Sequence, residues 1–220
     1  MVTSDGSELR WVHPPQQLRS QATLERILAA AEQLLAEKGF EDSPISEIVH
    51  RAGSSVGAFY ARFDDKHALL HALAARFVDQ AMATADAALD PARWEGATIS
   101  QILSSVIRFL VSVYRDQGGV IRAFVIRNHT DPEFGARQDR LSLYVNSRLS
   151  ELLFARSGEI CHPDPARAVP FGLTLVFSAL EDVMLFGELR SSAPALSDDD
   201  FAVELTRAYT AYLGIATNPE

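Results

Sequence analysis

The residues in this chain best placed for chemistry lie between positions 52 and 71. The run AGSSVGAFYARFDDK (52–66) brings together three hydroxyls (Ser54, Ser55, Tyr60) and two cations (Arg62, Lys66) around very small residues and three aromatic rings. Hydroxyls, ammonium groups and the amides at a helix start bind phosphate oxygens without demanding a particular base. Arg62 has two open roles: it can join them on phosphate, or read guanine through two parallel hydrogen bonds if its backbone comes close to a groove floor. As plain surface chemistry, Arg62 and Lys66 would only solvate the chain, and Tyr60 would close a core.

Other constellations are thinner. His67 and His71, four residues apart with Asp64 nearby, make a minimal metal suggestion. They lack a third helical ligand or a cysteine cluster, so no metal site and no cofactor are expected. His129, Asp131 and Glu133 read as caps and surface charge around a turn. Gly118-Gly119 has no accompanying phosphate-binding lysine, Ser54-Ser55 sits in no nucleophile elbow, and the abundant carboxylates define no acid–base pair, so the chain is not expected to be an enzyme.

The elements that position these residues are helices. Leu24, Ile27, Leu28, Ala31, Leu34 and Leu35 form one stripe over 19–38, with Gly39 as the cap. A short helix follows, with Ser43 as N-cap, Pro44 in the first turn and Ile45, Ile48 and Val49 buried, and Gly53 ends it. Ser54 or Ser55 caps a third helix of hardly two turns, on which Val56, Phe59 and Phe63 are expected to share a buried flank. Asp64 is expected to cap a long fourth helix through about 89, with Leu69, Leu70, Leu73 and Phe77 inward. Further helices are predicted near 97–116, 119–129, 133–157, 165–189 and 198–214, the last opened by Ser197 and Asp200 as a capping box. Residues 1–17, with Arg10, Trp11 and Pro14-Pro15, read as a flexible arm. Strand-like alternation is scarce, and the predicted class is all-α.

Composition sets limits on the function. The 220 residues are 47% hydrophobic, enough for a sizeable core. The net charge of −9 excludes a uniformly basic nucleic-acid binder but not a local site, because screening removes distant charges. The lone Cys161 forms no intrachain disulfide, which fits a reducing cytosol. No signal peptide and no apolar window of membrane-spanning length are read, so a cytoplasmic, nucleoid-associated protein without a membrane partner is expected. The segment 171–186 is apolar all round and must be covered on several sides. With Leu205, Ala208, Tyr209 and Tyr212 of the last helix it is the expected seam of a homodimer, through Phe171, Val176, Leu180, Val183 and Met184.

The stretch ILAAAEQLLAEKGFEDSPISEIVHRAGSSVGAFYARFDDKHALLHAL resembles the N-terminal DNA-binding domain of the TetR family of bacterial transcription regulators. The Gly-Phe joint, the Ile/Val spacing, the Ala-Gly turn, the Phe-Tyr-x-x-Phe run and the following Lys occur in register over roughly 20–75. The resemblance implies a helix-turn-helix head at 18–63, joined through a long fourth helix to a larger helical domain (64–220) that binds effector and dimerises. It implies a homodimeric repressor on double-stranded DNA with a palindromic operator, released by a small, partly apolar effector. The alternatives are an activator or co-repressor-dependent regulator of the same fold, or an all-helical dimeric enzyme or adaptor. On the family pattern Ser43, Ser46, Ser54, Ser55, Val56, Gly57, Tyr60, Ala61, Arg62 and Lys66 face DNA, Lys66 as a phosphate anchor, while Phe59 and Phe63 hold the third helix. The implied effector cavity has Phe109, Tyr114, Phe124, Arg127, Asn128, Tyr144 and Phe177 as candidate lining. Val56, Gly57, Ala58 and Ala61 offer neither amide nor charge, so methyl contact with thymine, close backbone approach and DNA shape are expected to carry much of the selectivity.

Overall fold

The computed structural model describes residues 18–187 and 196–215. The expectations for the arm at 1–17, for the end of the helix predicted to reach 189 and for most of the 191–197 joint lie outside them. Among the described residues all regular structure is helical: α1 Leu18–Lys38, α2 Ile45–Arg51, α3 Val56–Tyr60, α4 Lys66–Ala88, α5 Ile99–Asn128, α6 Pro132–Phe154, α7 Pro165–Leu180 and α8 Asp198–Tyr212. Three head helices are thus followed, through the long α4, by a larger helical part. Packing divides the chain into two units that cut across helices: one comprises the residues through Gln80 with Gly119–Asp139, the other Ala81–Gly118 with Arg140 onward.

The first unit is built on the apolar stripe of α1. Ile27, Leu28, Ala31, Leu34 and Leu35 meet Ile48 and Val49 of α2, Phe59 and Phe63, Leu69, Leu70 and Leu73 of α4, Val120 and Phe124 of α5 and Phe134 of α6 in one buried cluster. Gly39 closes α1 with a φ of +80°, a left-handed conformation that a side chain disfavours, and its amide donates to the Leu35 carbonyl at 2.9 Å. Two caps differ from expectation. Pro44 takes the N-cap position of α2 in extended conformation, without a side-chain hydrogen bond. At α4 it is Asp65, not Asp64, whose carboxylate accepts the Ala68 amide at 2.7 Å, because α4 starts at Lys66 and the capping residue must directly precede it.

The Gly118-Gly119 pair, read as a break between two helices, lies inside one 30-residue helix, α5. The reason is packing. A Cβ on Gly119 would stand 2.1 Å from the Leu35 carbonyl oxygen and 2.8 Å from the Ala36 Cα, so the absent side chain is what lets α5 lie backbone to backbone on α1. The helix propensity lost at a glycine, about 1 kcal/mol, is offset by that contact.

In the second unit, Asp164 caps α7 by accepting the Arg167 amide at 3.2 Å, and Ser197 caps α8 by accepting that of Asp200 at 3.1 Å, as the capping-box spacing predicts. α7 runs on as a π-helical turn over Glu181–Leu185. Its inner side, Ala168, Val169, Leu173, Val176 and Leu180, is buried. α8 presses close: a Cβ on Gly172 would lie 1.9 Å from the Tyr209 ring, and the Tyr209 hydroxyl donates to the Val169 carbonyl. Three of the residues expected at a dimer seam, Val176, Leu180 and Tyr209, are therefore turned into the core of their own unit. Phe171 and Val183 stand exposed, joined by Leu175 and Val203, while Met184, Leu205 and Tyr212 are half-buried. The expectation that no apolar window reaches membrane-spanning length is also corrected: Pro165–Leu185 is long and apolar enough to do so by length and composition. Its charges, Arg167, Glu181 and Asp182, sit at its ends and leave the middle uninterrupted, and one side of it is already committed to the core.

Gly119→Ala is expected to lower stability by about 1–3 kcal/mol through overpacking against backbone that cannot give way, although alanine is the better helix former. Gly118→Ala, whose Cβ would meet only the Leu185 side chain at 3.7 Å, is expected to be neutral or stabilising. Urea unfolding of the two variants side by side makes the comparison.

Candidate nucleic-acid interface

A helix of five residues does not hold itself together, because nucleation costs more than one turn of hydrogen bonds returns. α3 is supported at both ends and from behind. Ser55, with extended backbone, accepts the Ala58 amide on its hydroxyl at 3.1 Å, which decides between the two candidate caps. Phe59 and Phe63 are fully buried, with ring centroids 5.2 Å apart, and the Tyr60 ring meets Phe59 edge-on at 5.4 Å. Facing outward are Ser55, Val56, Gly57, Tyr60 and Ala61, with Val56 47% and Tyr60 49% exposed.

Val56 thus leaves the buried flank on which the i, i+3, i+7 spacing puts it. That spacing assumes a helix running to Phe63, whereas α3 stops at Tyr60 and Phe63 reaches the core from the turn that follows. Arg62 is corrected in the opposite sense. It is 9% exposed, and its Nη1 donates to the Ala58 carbonyl at 2.6 Å, supplying a partner for an acceptor near the helix end. Neither open role, phosphate contact or guanine reading, is compatible with that placement. Ser43 is fully buried and its hydroxyl donates to the Gly39 carbonyl at 2.6 Å, so it fastens the joint between α1 and α2 from within and is withdrawn from the DNA-facing set. Ser46 is exposed in the first turn of α2, and Ser54 is half-buried.

Lys66 occupies a joint as well as a surface. Its ammonium donates to the Phe40 carbonyl and, at 3.3 Å, to that of Glu41, and lies 4.2 Å from the centre of the Phe40 ring. Partial burial holds its pKa below the usual lysine value. An ammonium has three protons, so one is left after the two carbonyls. Phe40 also receives Arg127, whose guanidinium is 5.5 Å from the ring centre and 3.6 Å from the Glu41 carboxylate. Arg127, expected to line an effector cavity, therefore stands on the turn of the head. The sequence reading missed this arrangement around Phe40, since nothing in local spacing brings residues 40, 66 and 127 together.

Lys38 of α1 and Arg51 of α2 are matched by carboxylates, whereas Arg26 of α1 donates to the Thr23 hydroxyl at 3.2 Å. Lys38 pairs with Glu47, and Arg51 donates to Glu37 at 2.5 Å, an interaction that lowers the Glu37 pKa and raises that of Arg51. Arg76 of α4 bridges Glu25, at 3.1 Å, and Glu32. The acidic balance of the chain is thus partly internal bookkeeping between helices of the head.

The histidines do not form a pair. His67 is exposed beside Phe40, with 5.5 Å between ring centres, whereas His71 is buried on the Phe134 ring at 4.4 Å. His71 has Asp131 at 3.0 Å from Nε2 and an Arg137 Nη1 at 3.0 Å from Nδ1. Asp131 also caps α6 by accepting the Glu133 amide at 2.9 Å. The seven residues suggested for an effector cavity are divided between the units. Phe124 packs on Phe77 and Phe134 in the first, where Arg127 and Asn128 also lie; Tyr114 is buried in the second, Phe109 is exposed, Phe177 is half-buried and the Tyr144 hydroxyl donates to Asp86 at 2.5 Å. Burial raises the Tyr114 pKa, and the bond to Asp86 raises that of Tyr144.

This head, with a capped five-residue helix laid on two buried aromatics, coincides with residues 27–73, which match the family model of bacterial regulatory proteins, tetR family. That segment carries the DNA-binding head characteristic of tetR-family regulators. A curated relative from Bacillus subtilis (strain 168), the HTH-type transcriptional regulator YvdT, itself uncharacterised, is 46% identical over 50 residues, 23% of this chain and 26% of its own length. The chain thus spans about a quarter of the curated relative that it matches. Solved structures extend the likeness of fold to the remainder. A protein of Mesorhizobium loti MAFF303099 assigned to the TetR family superposes with a TM-score of 0.69 at 18% identity, covering 90% of this chain and 98% of its own. The Bacillus subtilis regulator FadR, solved in complex with stearoyl-CoA, gives 0.62 at 18% identity, covering 86% and 98%.

Ser55→Ala removes the α3 cap and is expected to cost about 1 kcal/mol, read as faster hydrogen exchange at the Ala58 amide with α1 unaffected. Phe59→Ala is expected to cost about 3–5 kcal/mol and to unfold the head, so a loss of DNA binding in that variant should coincide with a loss of helical circular dichroism.

Proposed function

We propose that the protein is a homodimeric, sequence-specific DNA-binding transcriptional repressor whose grip on a palindromic operator is released by a small, partly apolar effector. The observation that carries this reading is the outward face of α3, where Ser55, Val56, Gly57, Tyr60 and Ala61 are exposed while Phe59 and Phe63 behind it are fully buried. That combination suits a helix inserted into a major groove, where the backbone must approach base edges closely and the support must come from behind. Ser46, Ser54, Ser55, Val56, Gly57, Tyr60 and Ala61 form the proposed contact set, with Lys66 reaching phosphate through its third proton.

The two-fold partner is supported by the outer side of α7 and α8. Phe171, Leu175, Val183 and Val203 are 39–48% exposed on helices that otherwise build a core, a surface that a second copy would cover. Release follows if effector favours a dimer geometry in which the two α3 helices no longer match the spacing of the half-sites. Tyr114, Phe177, Phe109 and Tyr144 in the second unit are the aromatic candidates for the effector. Structural neighbours include FadR with stearoyl-CoA and SmeT, the repressor of the Stenotrophomonas maltophilia multidrug efflux pump SmeDEF, and both names suit an apolar ligand class.

Selection of bound fragments from randomised duplex DNA, followed by a salt titration, tests the reading: an enriched inverted repeat is expected, and no enrichment at low salt speaks against it. Lys66→Ala is expected to weaken all duplexes by a similar factor and to reduce the slope of log K against log salt by about 0.9 for each phosphate no longer neutralised. A lower melting temperature with an unchanged salt slope would leave Lys66 as the fastening of Phe40 alone. Leu175→Glu is expected to convert the dimer to monomer in sedimentation, and a wild type that sediments as a monomer at all concentrations would remove the dimer from the proposal.

A further inference from the structure

We infer that α3 reads its operator through thymine C5-methyl groups, with Val56 as the residue that sets the preference. The inference rests on the DNA-binding reading above and specifies what kind of base edge the site takes. Its starting point is what the exposed face lacks. Residues 54–62 contain no Asn, Gln, Asp, Glu, Lys or His, and their single charge, Arg62, is folded back onto the Ala58 carbonyl and buried. The bidentate contacts by which side chains pick out guanine or adenine therefore have no donor on this helix. The hydroxyls do not replace them. Ser55 is engaged with the Ala58 amide, and a hydroxyl, being both donor and acceptor, discriminates little between edges.

What the face does offer is apolar. Val56 stands at the first position of α3, 47% exposed as a residue, one turn from Tyr60, with the Ala61 methyl beyond. Gly57 is exposed between them, and even a Cβ there would meet only the Ser55 hydroxyl, at 3.9 Å. The backbone beside Val56 is thus bare, which removes the bulk that would hold a short branched side chain away from the groove floor. On the major-groove edges of the four bases the one apolar group is the C5-methyl of thymine. Burial of an exposed isopropyl against polar edges costs desolvation without return, while burial against that methyl removes apolar surface of both partners from water.

The test uses the operator recovered by selection. Each thymine of a half-site is replaced by uracil, which deletes the methyl and leaves every hydrogen-bonding group in place. At one or more positions per half-site uracil is expected to weaken binding by about fourfold for each methyl removed. In Val56→Ala the penalty at one of these positions is expected to vanish while the penalties at the other thymines persist. Two results overturn the inference: uracil tolerated at every position, or a uracil penalty equally large in Val56→Ala. A third is a guanine whose 7-deaza replacement weakens the wild type but not Arg62→Ala, which would show Arg62 turned outward to read bases. Each of these presupposes an enriched operator, so they are distinct from failure of the DNA-binding reading, in which no operator is enriched.

Discussion

The burial of Phe59 and Phe63 is the contact on which the head depends. α3 has five residues and one cap, and in isolation such a segment would not be helical. Two aromatic side chains set into the cluster of α1, α2 and α4 convert it into a fixed surface element. Because the anchors take all of the inner side, the outer side is free to carry almost nothing: a valine, a glycine, a tyrosine, an alanine. Bulk behind and bareness in front are two consequences of one need, to bring a backbone close to another molecule without losing its place.

The same principle recurs where helices cross. Gly119 on Leu35 and Gly172 on Tyr209 are points at which a side chain has been given up so that backbone or ring can approach. Both are mid-helix, where glycine is unfavourable by propensity, and both are explained only by the opposing surface. Polar groups are placed in a comparable way. Ser43 and Arg62 each use their polar atoms on a carbonyl of a helix end, and Lys66 and Arg127 both approach the Phe40 ring while meeting the Glu41 backbone and carboxylate. In a head where Lys38, Arg51 and Arg76 are also matched by carboxylates, few positive charges remain for phosphate. On the proposed DNA-binding reading, shape and apolar contact then carry the selectivity, since phosphate contacts position without specifying sequence.

Much was legible in the primary structure because it is written in local rules. The all-helical class, the stripe of α1, the glycine closing it, the Ser197 cap of α8 and the assignment of Phe59 and Phe63 to the core follow from periodicity and cap chemistry within a few residues. The in-register run from Ile27 to Leu73 marked out the head, and it is the segment that matches the tetR-family model. Only the fold could decide which way individual side chains turn. Val56 faces out although its spacing shares a flank with Phe59; Arg62 faces in because a carbonyl at the helix end needs a donor; Ser43 is enclosed because the α1–α2 joint closes over it. Gly118-Gly119 reads as a break until α1 lies against it, and Val176, Leu180 and Tyr209 read as a seam until α7 and α8 meet. Spacing along a chain determines which residues share a helix face, whereas the partner of that face, often far away in sequence, determines whether it is core, joint or surface.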